Sequence, residues 1–170
     1  EISPEMMAMC RKAFPPGGWV LVAGCGAGNE VIALARAGFQ LSGGDLLAEM
    51  TAAAQANAQA AAVPADFFTA DLTNFSTRED RWAGVLFTPH LYSMIPGSTR
   101  RIAALRALGG HLLPAGNILI HVRRVKSAGE WLQLWFSHRR GRAHGVALSD
   151  FVDRPPPSTA PHGGPRGTGG

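Results

Sequence analysis

The chain has 170 residues, 46% of them hydrophobic, and a formal net charge of +4. That length suits one domain with a sizeable core, and the apolar runs are strand-sized, too short for a membrane span. Its two cysteines, Cys10 and Cys25, have no C-x-x-C company, and the six histidines (His138 and His144 included) are scattered. Neither a disulfide framework nor a metal site is therefore expected. The sequence shows no secretory leader, so a cytoplasmic protein is expected; Glu1 rather than methionine opens it, which leaves room for an upstream piece.

The first strong signal is the apolar run Val20-Leu21-Val22-Ala23, followed by Gly24-Cys25-Gly26-Ala27-Gly28 and an alanine-rich segment from Val31 to Ala37. It reads as a strand, a tight glycine turn and a helix. Glycine has no Cβ and accepts positive φ, so a ligand can lie against bare backbone there. The run Phe39 to Asp45 predicts a second strand with a terminal carboxylate. Such a carboxylate can accept both hydroxyls of a ribose, or cap the helix that follows. Leu47 to Ala62 is rich in alanine and predicts that helix, with Pro64 as its stop.

Asp66 to Leu72 predicts a third strand that brings Asp71 to its end. Asp71 reads as an acceptor for a ligand at that edge or as the start of a turn. Trp82 to Thr88 predicts a fourth strand, and the residues after it should face the reacting group. His90 and Tyr92 are the catalytic candidates. His90 reads as a base near neutral pH or as a solvated surface residue. Tyr92, the single tyrosine, reads as a substrate contact or as core packing. Ile102, Leu105 and Leu108 recur at helical spacing after Pro96-Gly97, Gly109-Gly110 ends that helix, and Asn117 to Val122 predicts a fifth strand.

The glycine spacing is G-x-G-x-G, not the G-x-G-x-x-G of dinucleotide sites. Gly24 to Gly28 instead resembles motif I of the class I methyltransferases that use S-adenosyl-L-methionine (SAM). Glu30 after the glycines resembles the thiopurine-methyltransferase-like branch. Val22 stands where the family usually has an acid. The segment Leu112-Leu113-Pro114-Ala115-Gly116 before an apolar strand is similar to the family's post-catalytic region, and the resemblance runs in order over residues 14–124. It implies a Rossmann-like, doubly wound, mostly parallel α/β sheet with helices on both faces. It also implies SAM as cofactor, held by Ala23, Gly24, Cys25, Gly26, Gly28, Asp45, Leu46, Asp71, Leu72, Phe87 and Thr88. The implied reaction is methyl transfer to a small-molecule acceptor; the sequence leaves the acceptor and the oligomeric state open.

The carboxyl-terminal part departs from the pattern. After Val122 lie eight basic and three acidic residues, against eight and nine before it. Gly129 to His138 predicts an amphipathic helix, with Leu132, Trp135 and Phe136 on one face. Only Gly145 to Leu148 and Phe151-Val152 remain as strand candidates, so the family's final strand hairpin is expected to be incomplete. Residues 154–170 carry no large apolar side chain and predict a disordered tail after a domain of residues 1–153. The abrupt change near Arg154 motivates the expectation of a truncation or a shifted reading frame. Two rival functions stay open: an NAD(P)-dependent oxidoreductase, and a non-catalytic module that binds RNA or protein through residues 123–142. The basic part has few interleaved aromatics, which speaks against nucleic acid.

Overall fold

Val20 and Val22 point to one side of the first strand, and Leu21 and Ala23 to the other. All four are fully buried, so both faces of that strand must be covered. The computed structural model, which describes residues 2–75, 81–88 and 91–121, shows how. These residues belong to the first of two units, Glu1–Arg124 and Val125–Gly170. The second unit lies outside the described residues, and with it the expected helix Gly129 to His138, the later strand candidates and the tail.

The element order is α1 Pro4–Ala13, β1 Trp19–Ala23, α2 Asn29–Arg36, β2 Gln40–Asp45, α3 Ala48–Ala60, β3 Asp66–Thr69, a 3-10 turn Leu72–Asn74, β4 Trp82–Phe87, α4 Leu91–Met94, α5 Ser98–Gly109 and β5 Leu112–Ile120. The strands form one sheet in the order β3-β2-β1-β4-β5. All four pairings are parallel. The chain thus builds outward from β1 through β2 to β3, then returns to lay β4 on the other side of β1. That reversal is the doubly wound, Rossmann-like arrangement expected from the sequence.

One core packs α1, α2 and α3 against the face carrying Val20, Val22, Leu41 and Leu86. The second packs the 3-10 turn and α5 against Leu21, Ala23, Val85 and Phe87. In the second core Trp82 is fully buried, with Phe68, Phe75 and His111 around its ring. Its indole N–H shares one acceptor with Trp19: Ser42 Oγ accepts from Trp19 at 2.9 Å and from Trp82 at 3.3 Å. One buried hydroxyl of β2 thereby satisfies two indoles contributed by β1 and β4.

Helix α1 was not anticipated from the sequence. Ser3 caps it by accepting from Met6 N–H at 3.2 Å, Pro4 sits in its first turn, and Arg11 and Lys12 in its last. Met6, Cys10 and Phe14 reach the core from it. The Phe14 ring lies where a Cβ on Gly84 would be, so that glycine is the seat on which the end of α1 rests. Asn117 of β5 donates to the Ala13 carbonyl at 2.8 Å and holds the same end.

Two strand boundaries differ from the sequence reading. β3 ends at Thr69 rather than Leu72, because Asp71 accepts from Thr73 N–H and turns the chain out of the ladder. β5 begins at Leu112 rather than Asn117. Trp82 pairs with Leu112 and Gly84 already with Asn117, so the intervening residues form a bulge. Pro114 cannot donate to a ladder and Ala115 has φ +63°, which accounts for the interruption.

Helix α3 ends in a Schellman arrangement. Val63 N–H donates to Ala58 O and Ala62 N–H to Gln59 O, with Ala62 left-handed at φ +53°. Glycine is the residue that takes this position without a steric cost. Ala62 is exposed, so nothing packs on its methyl group to offset the strain. Replacing Ala62 with glycine is expected to stabilise the protein by about 1 kcal/mol, read from the midpoint of urea unfolding.

Candidate functional site

Parallel register brings the carboxyl ends of β1, β2, β3 and β4 to one edge of the sheet. Ala23 pairs with Gly44 and with Phe87, and Asp45 with Thr69. A cavity of about 450 Å³ opens there. Its wall combines the ends of all four strands (Gly24, Asp45, Asp71 and Thr88) with the segment after β4 (Leu91, Met94 and Ile95). This is the crevice where ligands bind in doubly wound sheets.

Asp45 is the organising residue. Its Oδ2 accepts from Gly26 N–H at 2.9 Å and its Oδ1 from Leu47 N–H at 3.1 Å. The expectation that it caps the next helix is met only in part: Leu47 is the N-cap of α3, and Asp45 holds the turn before it. A carboxylate has about four acceptor positions, so two remain for a ligand that carries hydroxyls. The main chain of the turn is fixed as well. Gly24 N–H and Cys25 N–H both donate to Gly44 O, at 2.8 and 3.0 Å.

The glycines of the turn serve different ends. At Gly24 a Cβ would lie 2.6 Å from a methyl of Leu91, so the space is taken by the segment after β4. At Gly28, φ is +89° and a Cβ would lie 3.1 Å from the Cβ of Ala54, which lets α2 approach α3. Asn57 of α3 adds a bond to Ala27 O at 3.0 Å. At Gly26, φ is +50° and nothing lies within 4 Å of the Cβ position. The two substitutions are therefore expected to differ. Gly28→Ala should cost about 2–4 kcal/mol of stability, and Gly26→Ala only about 1 kcal/mol of backbone strain, measured by urea unfolding.

Asp71 is held by one neighbour. Thr73 donates to its Oδ1 through both N–H and Oγ, at 2.8 and 2.7 Å. The Thr73 bonds, hydroxyl and then backbone, with the charge of Arg100 in support, hold the Asp71 carboxyl below the usual carboxylate range. Asp71 is thus an acceptor at neutral pH, and among the described residues nothing bonds its Oδ2. Thr88 closes the other end by donating from Oγ1 to Gly24 O at 2.8 Å, while its N–H donates to Ala23 O.

Of the residues expected to hold a cofactor, Gly24, Asp45, Leu46, Asp71, Leu72 and Thr88 line the cavity. Leu46 is exposed at its mouth. Ala23, Cys25, Gly26, Gly28 and Phe87 stand behind this wall, in the strands and the turn that shape it. Tyr92 packs edge-on against Phe87, 5.8 Å between ring centroids, with the Arg101 guanidinium 6.0 Å from its own ring. His90 lies outside the described residues. Val22 is fully buried and meets the core in place of the acid usual in the resembled motif. Sequence reading missed Leu47, Ala70, Thr73, Leu91, Met94, Ile95, Pro96 and Arg100 in the lining. The Asp-x-Thr spacing at 71–73 was the available signal for Thr73.

Cys25 is buried beneath the turn, and burial, then the charges of Asp45 and Glu30, pushes its thiol up to about 12. Burial takes Cys10 to about 11. Both are uncharged thiols at neutral pH, not nucleophiles. Among the described residues no cluster of His, Cys, Asp and Glu could hold a metal ion, and no helix is long and apolar enough to cross a membrane. In the unfolded chain these thiols ionise near their ordinary value of about 8.5, so unfolding releases protons above that pH. Stability is therefore expected to be undiminished by these groups below about pH 8.5 and to fall as pH rises toward 11, while iodoacetamide at pH 8 leaves both thiols of the folded protein unmodified.

Residues 20–116, more than half of the chain, match the family model described as a methyltransferase domain. The chain belongs to this family. Its fold is likewise that of solved SAM-dependent methyltransferases. A structure reported for the conversion of a disulfide bond into a thioacetal group in echinomycin biosynthesis is 28% identical, with a TM-score of 0.60 over 70% of this chain and 47% of its own. A TehB-like SAM-dependent methyltransferase from Corynebacterium glutamicum is 22% identical, with a TM-score of 0.61 over 81% and 72%. The glycopeptide N-methyltransferase MtfA in complex with sinefungin is 19% identical, with a TM-score of 0.59 over 68% and 51%. The chain spans about half the length of the first and the third of these. No curated protein matches in sequence.

Proposed function

We propose that this methyltransferase-family chain binds SAM in the cavity at the ends of β1, β2, β3 and β4 and serves methyl transfer to a small molecule. The observation that carries the reading is the Asp45 carboxylate bonded to Gly26 N–H. It sits on the amide that a pyrophosphate-binding turn would offer to its ligand, and its negative charge repels a pyrophosphate. The same carboxylate suits a neutral diol. A second acceptor, Asp71, faces the cavity beyond the apolar side chains of Leu46 and Leu72. Diol, flat apolar ring and exocyclic amine are the parts of an adenosine, so the residues present fit it. An adenosine is common to SAM and NAD, so it is the carboxylate on the Gly26 amide, not these contacts, that weighs against the NAD(P) reading.

When bound, SAM would supply a methyl group on a sulfonium, and the electrons of the broken carbon–sulfur bond would stay on sulfur as the acceptor's lone pair forms the new bond to carbon. The chain's task is then alignment and exclusion of water. The glycine turn, fixed through Gly44 O and Asp45, presents an ordered backbone. Leu91, Met94 and Ile95 form an apolar wall opposite Asp45 and Asp71. A small acceptor accords with the printed subjects of two structural neighbours, echinomycin biosynthesis and a glycopeptide N-methyltransferase. His90 remains the candidate base for an acceptor that must lose a proton. The basic segment 123–142, on which the RNA-binding reading rests, lies outside the described residues.

Calorimetric titration of the full chain with S-adenosylhomocysteine, with NAD as control, tests the assignment. Micromolar binding of S-adenosylhomocysteine alone is expected, and Asp45→Asn should weaken it by at least about tenfold through loss of charged acceptors for the diol. Binding of NAD alone, or of neither ligand by a folded protein, would overturn the reading.

A further inference from the structure

The cavity wall holds one cation that the preceding assignment leaves without a task. Arg100 lies in the first turn of α5, is exposed, and lines the same cavity as Asp71. The 3-10 turn that follows Asp71 packs against α5, which holds the two residues on adjoining walls. Their charges interact, yet no ion pair neutralises Arg100 among the described residues. On Asp71, Thr73 occupies Oδ1 alone.

We propose that Arg100 is a specificity residue of the cofactor site, reading together with Asp71 the edge of the adenine ring. The inference rests on the placement of Asp71 at the adenine end. An ionised carboxylate only accepts hydrogen bonds and a guanidinium only donates them. Adenine presents a donor, its 6-amino group, beside an acceptor, N1. Asp71 matches the first and Arg100 the second. A 6-oxopurine reverses both: its carbonyl oxygen faces the carboxylate and its N1–H faces the guanidinium. Two reversed polar contacts discriminate where an apolar shelf such as Leu46 and Leu72 cannot, because any purine stacks on that shelf. The guanidinium thus gains a matching partner when the correct base enters.

The test compares S-adenosylhomocysteine with its 6-oxo analogue, S-inosylhomocysteine, on the full chain by calorimetry or by competition. Wild type should bind the adenine compound at least about tenfold more tightly. Arg100→Gln should weaken it by about tenfold and leave the inosine compound within about twofold, because glutamine both donates and accepts. Arg100→Lys, which keeps a cationic donor, should recover part of the loss. Far-UV circular dichroism and the thermal midpoint establish that the variants are folded. Unchanged S-adenosylhomocysteine affinity in Arg100→Gln would overturn the proposal, as would equal weakening of both ligands, which marks a general charge effect. Failure of wild type to bind S-adenosylhomocysteine would instead overturn the cofactor assignment beneath it.

Discussion

The hydrogen bond from Gly26 N–H to the Asp45 carboxylate joins the end of one central strand to the end of its neighbour. Much of the site follows from that bond. It orients the glycine turn, and it places a negative charge at the mouth of the turn. Through Oδ1 it also sets the entry into α3. From α3, Ala54 and Asn57 reach back to Gly28 and Ala27, so the turn is gripped from the strand side and from the helix side. The amides of Gly24, Cys25, Gly26 and Gly28 are thus committed before any ligand arrives. Such preorganisation lowers the cost of ordering on binding.

Beneath the turn the fold is held by burial on two faces of a parallel sheet. The first face is closed by α1, α2 and α3, the second by α5 and the 3-10 turn. Among the described residues polar groups inside are few, and His121 Nδ1 alone is buried without a hydrogen-bond partner. Ser42 serves two indoles, and the Thr51 and Thr69 hydroxyls meet at 2.9 Å between α3 and β3. The threonine pair lies at the carboxyl end of β3, level with Asp45 at the cavity, whereas the Ser42 bonds tie the amino ends of β1 and β4.

The segment after β4 has a double part. Leu91 fills the space beside Gly24, and Met94 and Ile95 continue the apolar wall. Leu91 N–H donates to Thr88 O, while Thr88 Oγ1 donates to Gly24 O. The turn after β1 and the turn after β4 are thus tied across the point where strand order reverses. A cofactor between them would meet a rigid floor and an apolar roof.

The strand and helix order was legible in the sequence because each strand announces itself twice, by its apolar run and by the residue that ends it. Gly24, Asp45, Asp71 and Thr88 were legible as neighbours lining one cavity for this reason: parallel strands place their carboxyl ends together, so order along the chain predicts proximity in space. Helix α1 was missed because Met6 to Cys10 is an unbroken apolar run that shows no helical period, although Ser3-Pro4 carried a capping signal. The start of β5 was missed because Pro114 reads as a break, and the ladder survives it by bulging. Three features were decided only in three dimensions. Gly24 is required by Leu91 rather than left bare, Tyr92 turns to Phe87, and Arg100 reaches the cavity of Asp71. Local pattern determines which elements form, since propensity and periodicity act over a few residues. Which side chains from distant elements share a cavity depends on how helices pack across the sheet, and that information lies in no single stretch of chain.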